Sequence, residues 1–182
     1  YEETKEKPNF EDVKLEPIPY LEKAKLPKEQ LDKLTALGED AIKHGKLAIV
    51  TMAGGQGTRL GHPGPKGTFD LGLSSHKSIF EILCDGIKRA SEKYNVTIPW
   101  YLMTSDANND ETINFFEKNN YFGYPKSAVS FFKQGKLPML DINGKILLDE
   151  NGMIMQAADG HGGIFEAMRK NGIFYQMKEQ GI

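Results

Sequence analysis

Residues 48–72, AIVTMAGGQGTRLGHPGPKGTFDLG, decide how the chain is read. A short apolar run, Leu47-Ala48-Ile49-Val50-Thr51-Met52, has the length and β-branched content of a strand. It breaks into Gly54-Gly55-Gln56-Gly57, where backbone must turn and approach something closely. Arg59 and Lys66 follow, with a stiff Pro63-Gly64-Pro65 segment between them. A strand that empties into a glycine loop carrying two cations is a way to hold a polyphosphate. Consecutive backbone N–H groups converge on anionic oxygens, Arg offers a planar fork and Lys a point charge.

The flanks alternate helix and strand. Residues 27–44 read as a helix with Leu31, Leu34, Leu37, Ala41 and Ile42 on one face. Residues 77–94 read as another, with Phe80, Leu83, Ile87 and Ala90 inward and Cys84 as inert packing beside them. Residues 98–104 form a second strand. Asn108 with Glu111 three residues on resembles a capping box for a helix at 109–119 that buries Ile113 and Phe116. Residues 129–132 form a third strand. This alternation favours an α/β sheet with parallel strands, whose ligands sit at the carboxyl ends. Residues 53–66, 104–108 and 133–137 all fall there. Asn143-Gly144 between apolar runs signals a hairpin, a further short piece follows Asn151-Gly152, and residues 162–171 and 173–180 close the chain as helices. No internal repeat is evident. Residues 1–25 read as an extended surface arm that Phe10 and Tyr20 anchor.

Composition excludes several classes. The 182 residues are 39% apolar and 26% charged, as in an ordinary globular chain. Lysine and arginine number 23 against 25 acidic residues, so the formal charge is 23 − 25 = −2, which argues against a general nucleic-acid binder. No apolar run approaches the length of a membrane span, and the polar start is no signal peptide. Cys84 is the sole cysteine, which fits a reducing cytoplasm. His62 and His76 lack the spacing of a zinc site.

The glycine loop fails two familiar patterns. In G-x-G-x-x-G the sixth position is Leu60, and Gly61 comes one residue late. In the Walker A pattern the Lys66-Gly67-Thr68 order is wrong. An oxidoreductase and a P-loop ATPase are both disfavoured. What remains is Ala53-Gly54-Gly55-Gln56-Gly57-Thr58-Arg59-Leu60-Gly61 with Pro65-Lys66-Gly67. It resembles the signature of UDP-sugar pyrophosphorylases, in particular the UDP-N-acetylglucosamine pyrophosphorylase branch of the eukaryotic-type uridylyltransferases. The resemblance continues in family order through Asp70–Leu73, Ser75–Phe80, Trp100–Ser105, Phe116 to Gly123, Phe131–Gly135 and Asp159–Gly163. It covers roughly residues 46–182, leaving residues 1–45 as an N-terminal arm and helix.

The resemblance implies a Rossmann-like, GT-A-like nucleotide-diphospho-sugar transferase fold, a mixed sheet flanked by helices. It implies that a sugar-1-phosphate oxygen attacks the α-phosphorus of UTP, giving a UDP-sugar and pyrophosphate, with Mg²⁺ as cofactor. By the same token Met52, Ala53, Gly54, Gly55, Gly57 and Thr58 line the nucleotide, Arg59 and Lys66 hold the triphosphate as the catalytic cations, and Gln134 and Gly160 contact uracil. His161 falls where the family meets the sugar; the run Gly160-His161-Gly162 is glucose-like, whereas the rest is closer to the N-acetylglucosamine branch. Both sugar-1-phosphates stay open. The family's Mg²⁺-binding Asp is expected beyond residue 182, and Asp70, Asp106 and Asp159 are the loop carboxylates at hand. The chain is therefore expected to be the N-terminal part of a catalytic domain, truncated at its C-terminus, with most of the nucleotide half-site and negligible turnover alone. A non-catalytic uridine-nucleotide-binding module is the alternative.

Overall fold

The computed structural model describes residue 14 and residues 16–182. Most of the expected arm, including Phe10, lies outside them, and Tyr20 is exposed. The chain divides into two compact units, Tyr1–Gly38 with Pro138–Met155, and Glu39–Leu137 with Gln156–Ile182.

The second unit holds the sheet. Strands β1 (Ile49–Met52), β2 (Trp100–Thr104) and β3 (Val129–Lys133) pair in parallel in that order. Helix α2 (Ile79–Tyr94) connects the first pair and α3 (Asn109–Lys118) the second. All five residues of the central strand are buried. Their alternation divides the core in two, because successive side chains leave opposite faces. Trp100 and Leu102 meet Phe80, Cys84 and Ile87 of α2 and Phe116 of α3. Tyr101 and Met103 meet Phe132, and Ala167, Met168 and Ile173 of the helices α4 (Ile164–Lys170) and α5 (Ile173–Glu179). A continuous apolar run is what a strand covered on both faces requires.

Several polar groups inside this core are paired, although the buried Thr112 hydroxyl has no partner among the described residues. Trp100 Nε1 donates to Thr51 Oγ1 (2.8 Å). The Tyr124 hydroxyl accepts from the Ile98 N–H (2.9 Å) and donates to the Ile98 carbonyl (2.7 Å), so Ser91 Oγ, 3.0 Å away, donates to it. Ser78 caps α2 by accepting from the Glu81 N–H, and Asn95 closes it with φ 53°. After α3 the chain takes four successive left-handed residues, Asn120, Tyr121, Phe122 and Gly123 (φ 47°, 49°, 55° and 73°). The Tyr121 and Phe122 rings meet the Phe116 ring edge-on at 5.9 and 5.1 Å, and Lys88 Nζ donates to the Phe122 carbonyl.

Two expectations fail at the helices. No residue of α1 (Lys28–Lys43) is fully buried among the described residues: Ile42 packs partly buried against the core, but Leu34 and Leu37 of the same stripe are exposed, Leu37 by 66%. Leu83 is also half-exposed, because it borders a concavity instead of the core.

Residues 138–155 contain an internal repeat, contrary to the expectation of none. Leu140-Asp141-Ile142-Asn143-Gly144-Lys145-Ile146-Leu147 is followed at once by Leu148-Asp149-Glu150-Asn151-Gly152-Met153-Ile154-Met155. Each copy folds alike: the Asp carboxylate accepts the N–H groups two and four residues on, and bridges Leu140–Ile146 and Leu148–Ile154 close the turns. Strands β4 (Lys136–Pro138) and β5 (Gln156–Ala158) form a separate two-stranded sheet.

Candidate functional site

Three segments leave the carboxyl ends of the parallel strands side by side. The Ala53 N–H donates to the Met103 carbonyl (2.7 Å) and the Gln134 N–H to the Thr104 carbonyl (2.9 Å), so the first residues past β1 and β3 both fasten to β2.

The glycine loop then doubles back on itself. Gln56 pairs antiparallel with Pro65, the Gly57 N–H donates to Gly64 (2.9 Å), and the Lys66 N–H donates to Gly55 (3.0 Å). The proline-stiffened return is thus what brings Lys66 beside Gly55. Arg59 stands on the short turn Thr58–Leu60, which Gly61 ends at φ 69°. The Thr68 hydroxyl donates to Pro65 (2.8 Å) and accepts from His62 Nε2 (2.7 Å), tying the return segment down. Gly67 lies against the Phe80 ring, in space a Cβ would fill.

Three concavities open around this loop. One of about 310 Å³ is lined by Gly55, Gln56, Thr58, Arg59 and Lys66. A second, about 290 Å³, has Met52, Ala53, Gly55, Lys66 and His161 on its wall. The third, about 340 Å³, lies among Gly54, Gln56, Ser105, Asp106, Gln134 and Lys136. Among the described residues no carboxylate lies within ion-pair distance of Arg59 or Lys66. The amide of Gln134 sits directly over Gly54, with Oε1 2.7 Å from where a Cβ would be.

So the fold gathers Met52, Ala53, Gly54, Gly55, Thr58, Arg59, Lys66, Gln134 and His161 around these concavities. Gly57 and Gly160 border none of them. A Cβ at Gly57 would meet His62 at 2.8 Å. Gly160 has φ 79° and ψ −176°, a conformation reserved for glycine, and turns the chain between Asp159 and His161.

Two of the three loop carboxylates are already engaged. Asp70 pairs with His76 (3.4 Å) and accepts the Gly72 N–H. Asp106 is held below the usual carboxylate range by Lys136, which touches it, and by Lys133 at 3.1 Å. The Asp159 carboxylate fills the space over Gly135 and Gly163, with Oδ1 buried and unpartnered. Among the described residues no three His, Cys, Asp or Glu side chains converge as metal ligands.

Asn108 departs from its expected part. It precedes α3, but its side chain makes no cap bond. Its amide reaches back to the glycine loop instead, donating from Nδ2 to the Ala53 carbonyl (2.9 Å) while Oδ1 accepts the Ser105 N–H (2.9 Å). An Asn at a helix start gives no sign in sequence of a partner 55 residues away.

A parallel sheet with a glycine loop, an amide and two cations that lack a carboxylate partner among the described residues, all at its carboxyl edge, is the layout of an open α/β fold with its candidate site where the strands end. The chain belongs to the UTP–glucose-1-phosphate uridylyltransferase family, whose sequence model matches residues 1–182. It is 43% identical over 150 residues to a probable UDP-N-acetylglucosamine pyrophosphorylase of Schizosaccharomyces pombe, covering 78% of this chain and 32% of that protein. It is 41% identical over 150 residues to the UDP-N-acetylglucosamine pyrophosphorylase of Saccharomyces cerevisiae, covering 80% of this chain and 31% of that one. The chain therefore spans about a third of the length of these curated relatives. The crystal structure of the Trypanosoma brucei uridine diphosphate N-acetylglucosamine pyrophosphorylase, in complex with inhibitor, superposes with a TM-score of 0.72 at 38% identity, covering 77% of this chain and 29% of that one. The Rossmann-like transferase fold expected from sequence is borne out. No helix among the described residues is long and apolar enough to cross a membrane.

Proposed function

We propose that this chain supplies the nucleotide-binding part of a uridylyltransferase that joins UTP and a sugar-1-phosphate into a UDP-sugar, releasing pyrophosphate. The observation that carries the reading is the position of two cations without carboxylate partners among the described residues, Arg59 and Lys66, over one glycine loop whose base is covered by the Gln134 amide. In the reaction an oxygen of the sugar-1-phosphate forms a bond to the α-phosphorus of UTP, and the bond from that phosphorus to the bridging oxygen breaks. The bridging oxygen leaves on pyrophosphate. Little covalent work falls to the protein in such a displacement; alignment and charge stabilisation dominate. Arg59 and Lys66 offset the charge that gathers on the departing pyrophosphate. Gln134 offers a donor and an acceptor to the uracil edge. Met52, Ala53, Gly54, Gly55 and Thr58 line the nucleotide, whereas Gly57 and Gly160, which border no concavity, shape the backbone that carries the neighbouring residues. His161, on the same concavity as Lys66, faces the sugar-phosphate.

Mg²⁺ belongs to this reading as an ion that would offset phosphate charge when bound and would need few protein ligands. The described residues do not themselves fit a metal, since no three candidate ligands converge among them and Asp106 is already paired with two lysines. No step here depends on it. The sugar is N-acetylglucosamine-1-phosphate or glucose-1-phosphate, and a reducing cytoplasm suits the single buried cysteine.

Calorimetry on the 182-residue chain tests the reading. UTP and UDP-sugars are expected to bind in preference to NAD. Tight NAD binding with no response to UTP overturns it.

A further inference from the structure

Asn108 is 1% exposed, and both ends of its amide are spent on backbone. Besides its bonds to Ala53 and Ser105, Nδ2 makes a longer contact with the Gly55 carbonyl (3.4 Å). A trans peptide holds its C=O and the next N–H on opposite sides. A carbonyl drawn toward Asn108 therefore turns the following N–H away from it. Applied at Ala53 and Gly55, this aims the N–H groups of Gly54 and Gln56 away from the interior. Both residues line the concavity that holds Gln134, and Gln56 also lines the one that holds Arg59 and Lys66. The pattern of bonds agrees. The N–H groups of Ala53 and Gly57 have backbone acceptors, whereas among the described residues those of Gly54, Gly55 and Gln56 have none.

We infer that Asn108 is a positioning residue: its buried amide sets the peptide planes of the glycine loop so that the Gly54, Gly55 and Gln56 N–H groups stand ready for the phosphate oxygens of the nucleotide. This rests on the uridine-nucleotide reading above. It assigns to the segment after β2 a part in phosphate binding without any contact to the ligand. Successive N–H groups with a shared direction form an anion-binding concavity. Their alignment in advance removes an ordering cost from binding.

Two variants and one measurement on the unaltered chain test it. Asn108→Asp keeps the acceptor for Ser105 and removes the donor to the loop. Asn108→Ala removes both without adding charge. In each, the affinity for UTP and for pyrophosphate is expected to fall by about tenfold or more, the scale of losing well-placed hydrogen bonds to a charged ligand, while uridine affinity changes by less than about threefold. Equal losses for uridine and UTP, or an Asn108→Ala variant that binds UTP as the parent does, overturn the inference. If a variant does not fold, the ¹⁵N-labelled parent decides: pyrophosphate should shift the Gly54, Gly55 and Gln56 amides more than those of Ala53 and Gly57, and the absence of that contrast overturns it. A parent chain that binds neither UTP nor uridine overturns the earlier reading too. A parent that binds UTP with unaffected variants overturns this inference alone.

Discussion

The Gln134 amide occupies the space that a side chain at Gly54 would need, with Oε1 2.7 Å and Nε2 2.9 Å from an ideal Cβ. The obstruction is the far end of a flexible side chain, so Gly54→Ala is expected to fold with a stability loss under about 1 kcal/mol as the amide swings aside. Base discrimination is expected to suffer more than folding. Titrating the variant with UTP and CTP checks this: preference for UTP should drop several-fold, and an undiminished preference removes Gln134 from base reading.

Arg59 and Lys66 face the same concavity without carboxylate partners among the described residues. Lys66→Ala is expected to weaken UTP binding by about 1.4 kcal/mol, or tenfold, the order of one charge-assisted contact. The affinity of the parent should also fall as salt is raised, because such contacts are partly screened. A Lys66→Ala chain with parental affinity and parental salt dependence would dismiss the triphosphate role.

Burial pushes the Cys84 thiol from 9.0 up to about 11. Below pH 9 folded and unfolded chains both hold the proton, and the thiol has no effect on stability. Between 9 and 11 the unfolded chain loses it first, so stability falls as pH rises, by about 2–3 kcal/mol across that window. Urea titrations at pH 8 and pH 11 should show this extra loss in the parent and not in Cys84→Ala. Parallel slopes for the two proteins refute it.

Gly67 and Gly86 are expected to respond in opposite directions to the same change. A Cβ at Gly67 would enter the Phe80 ring, which is held in the core, so Gly67→Ala should cost about 1–3 kcal/mol. Gly86 lies inside α2 with open space where its Cβ would be, so Gly86→Ala should gain about 0.5–1 kcal/mol. Denaturation midpoints of the pair measure both. Shifts of one sign would show that the packing at one of them is misread.

What sequence disclosed and what it hid divide along physical lines. Strands 47–53, 98–104 and 129–132 and the helices between them stand out because apolar spacing reflects burial, which is complete in the central strand and partial in its two neighbours. The glycine loop is legible because its backbone demands are local. Asn108 is not, because a capping box and a long-range amide bridge use the same residue type, and only the fold shows which carbonyls are in reach. Leu34 and Leu37 carry a convincing stripe, yet nothing local says whether anything covers it. The eight-residue repeat at 140–155 is written plainly but varies at its third, sixth and eighth positions, Ile142 against Glu150, Lys145 against Met153 and Leu147 against Met155, which masks it until the two Asp turns are seen to match.

The reversed winding at Asn120–Gly123 makes the aromatic cluster a latch on chain handedness. Left-handed backbone costs roughly 1–2 kcal/mol for each non-glycine residue, a sizeable share of a domain's whole stability margin. The Tyr121 and Phe122 rings, clasped on Phe116, are what keep the chain wound against its own preference. Loss of either ring would therefore do more than leave a gap. It would let the turn relax to its ordinary hand and swing the following residues, including the Tyr124 hydroxyl that completes the backbone of Ile98, out of register with the sheet.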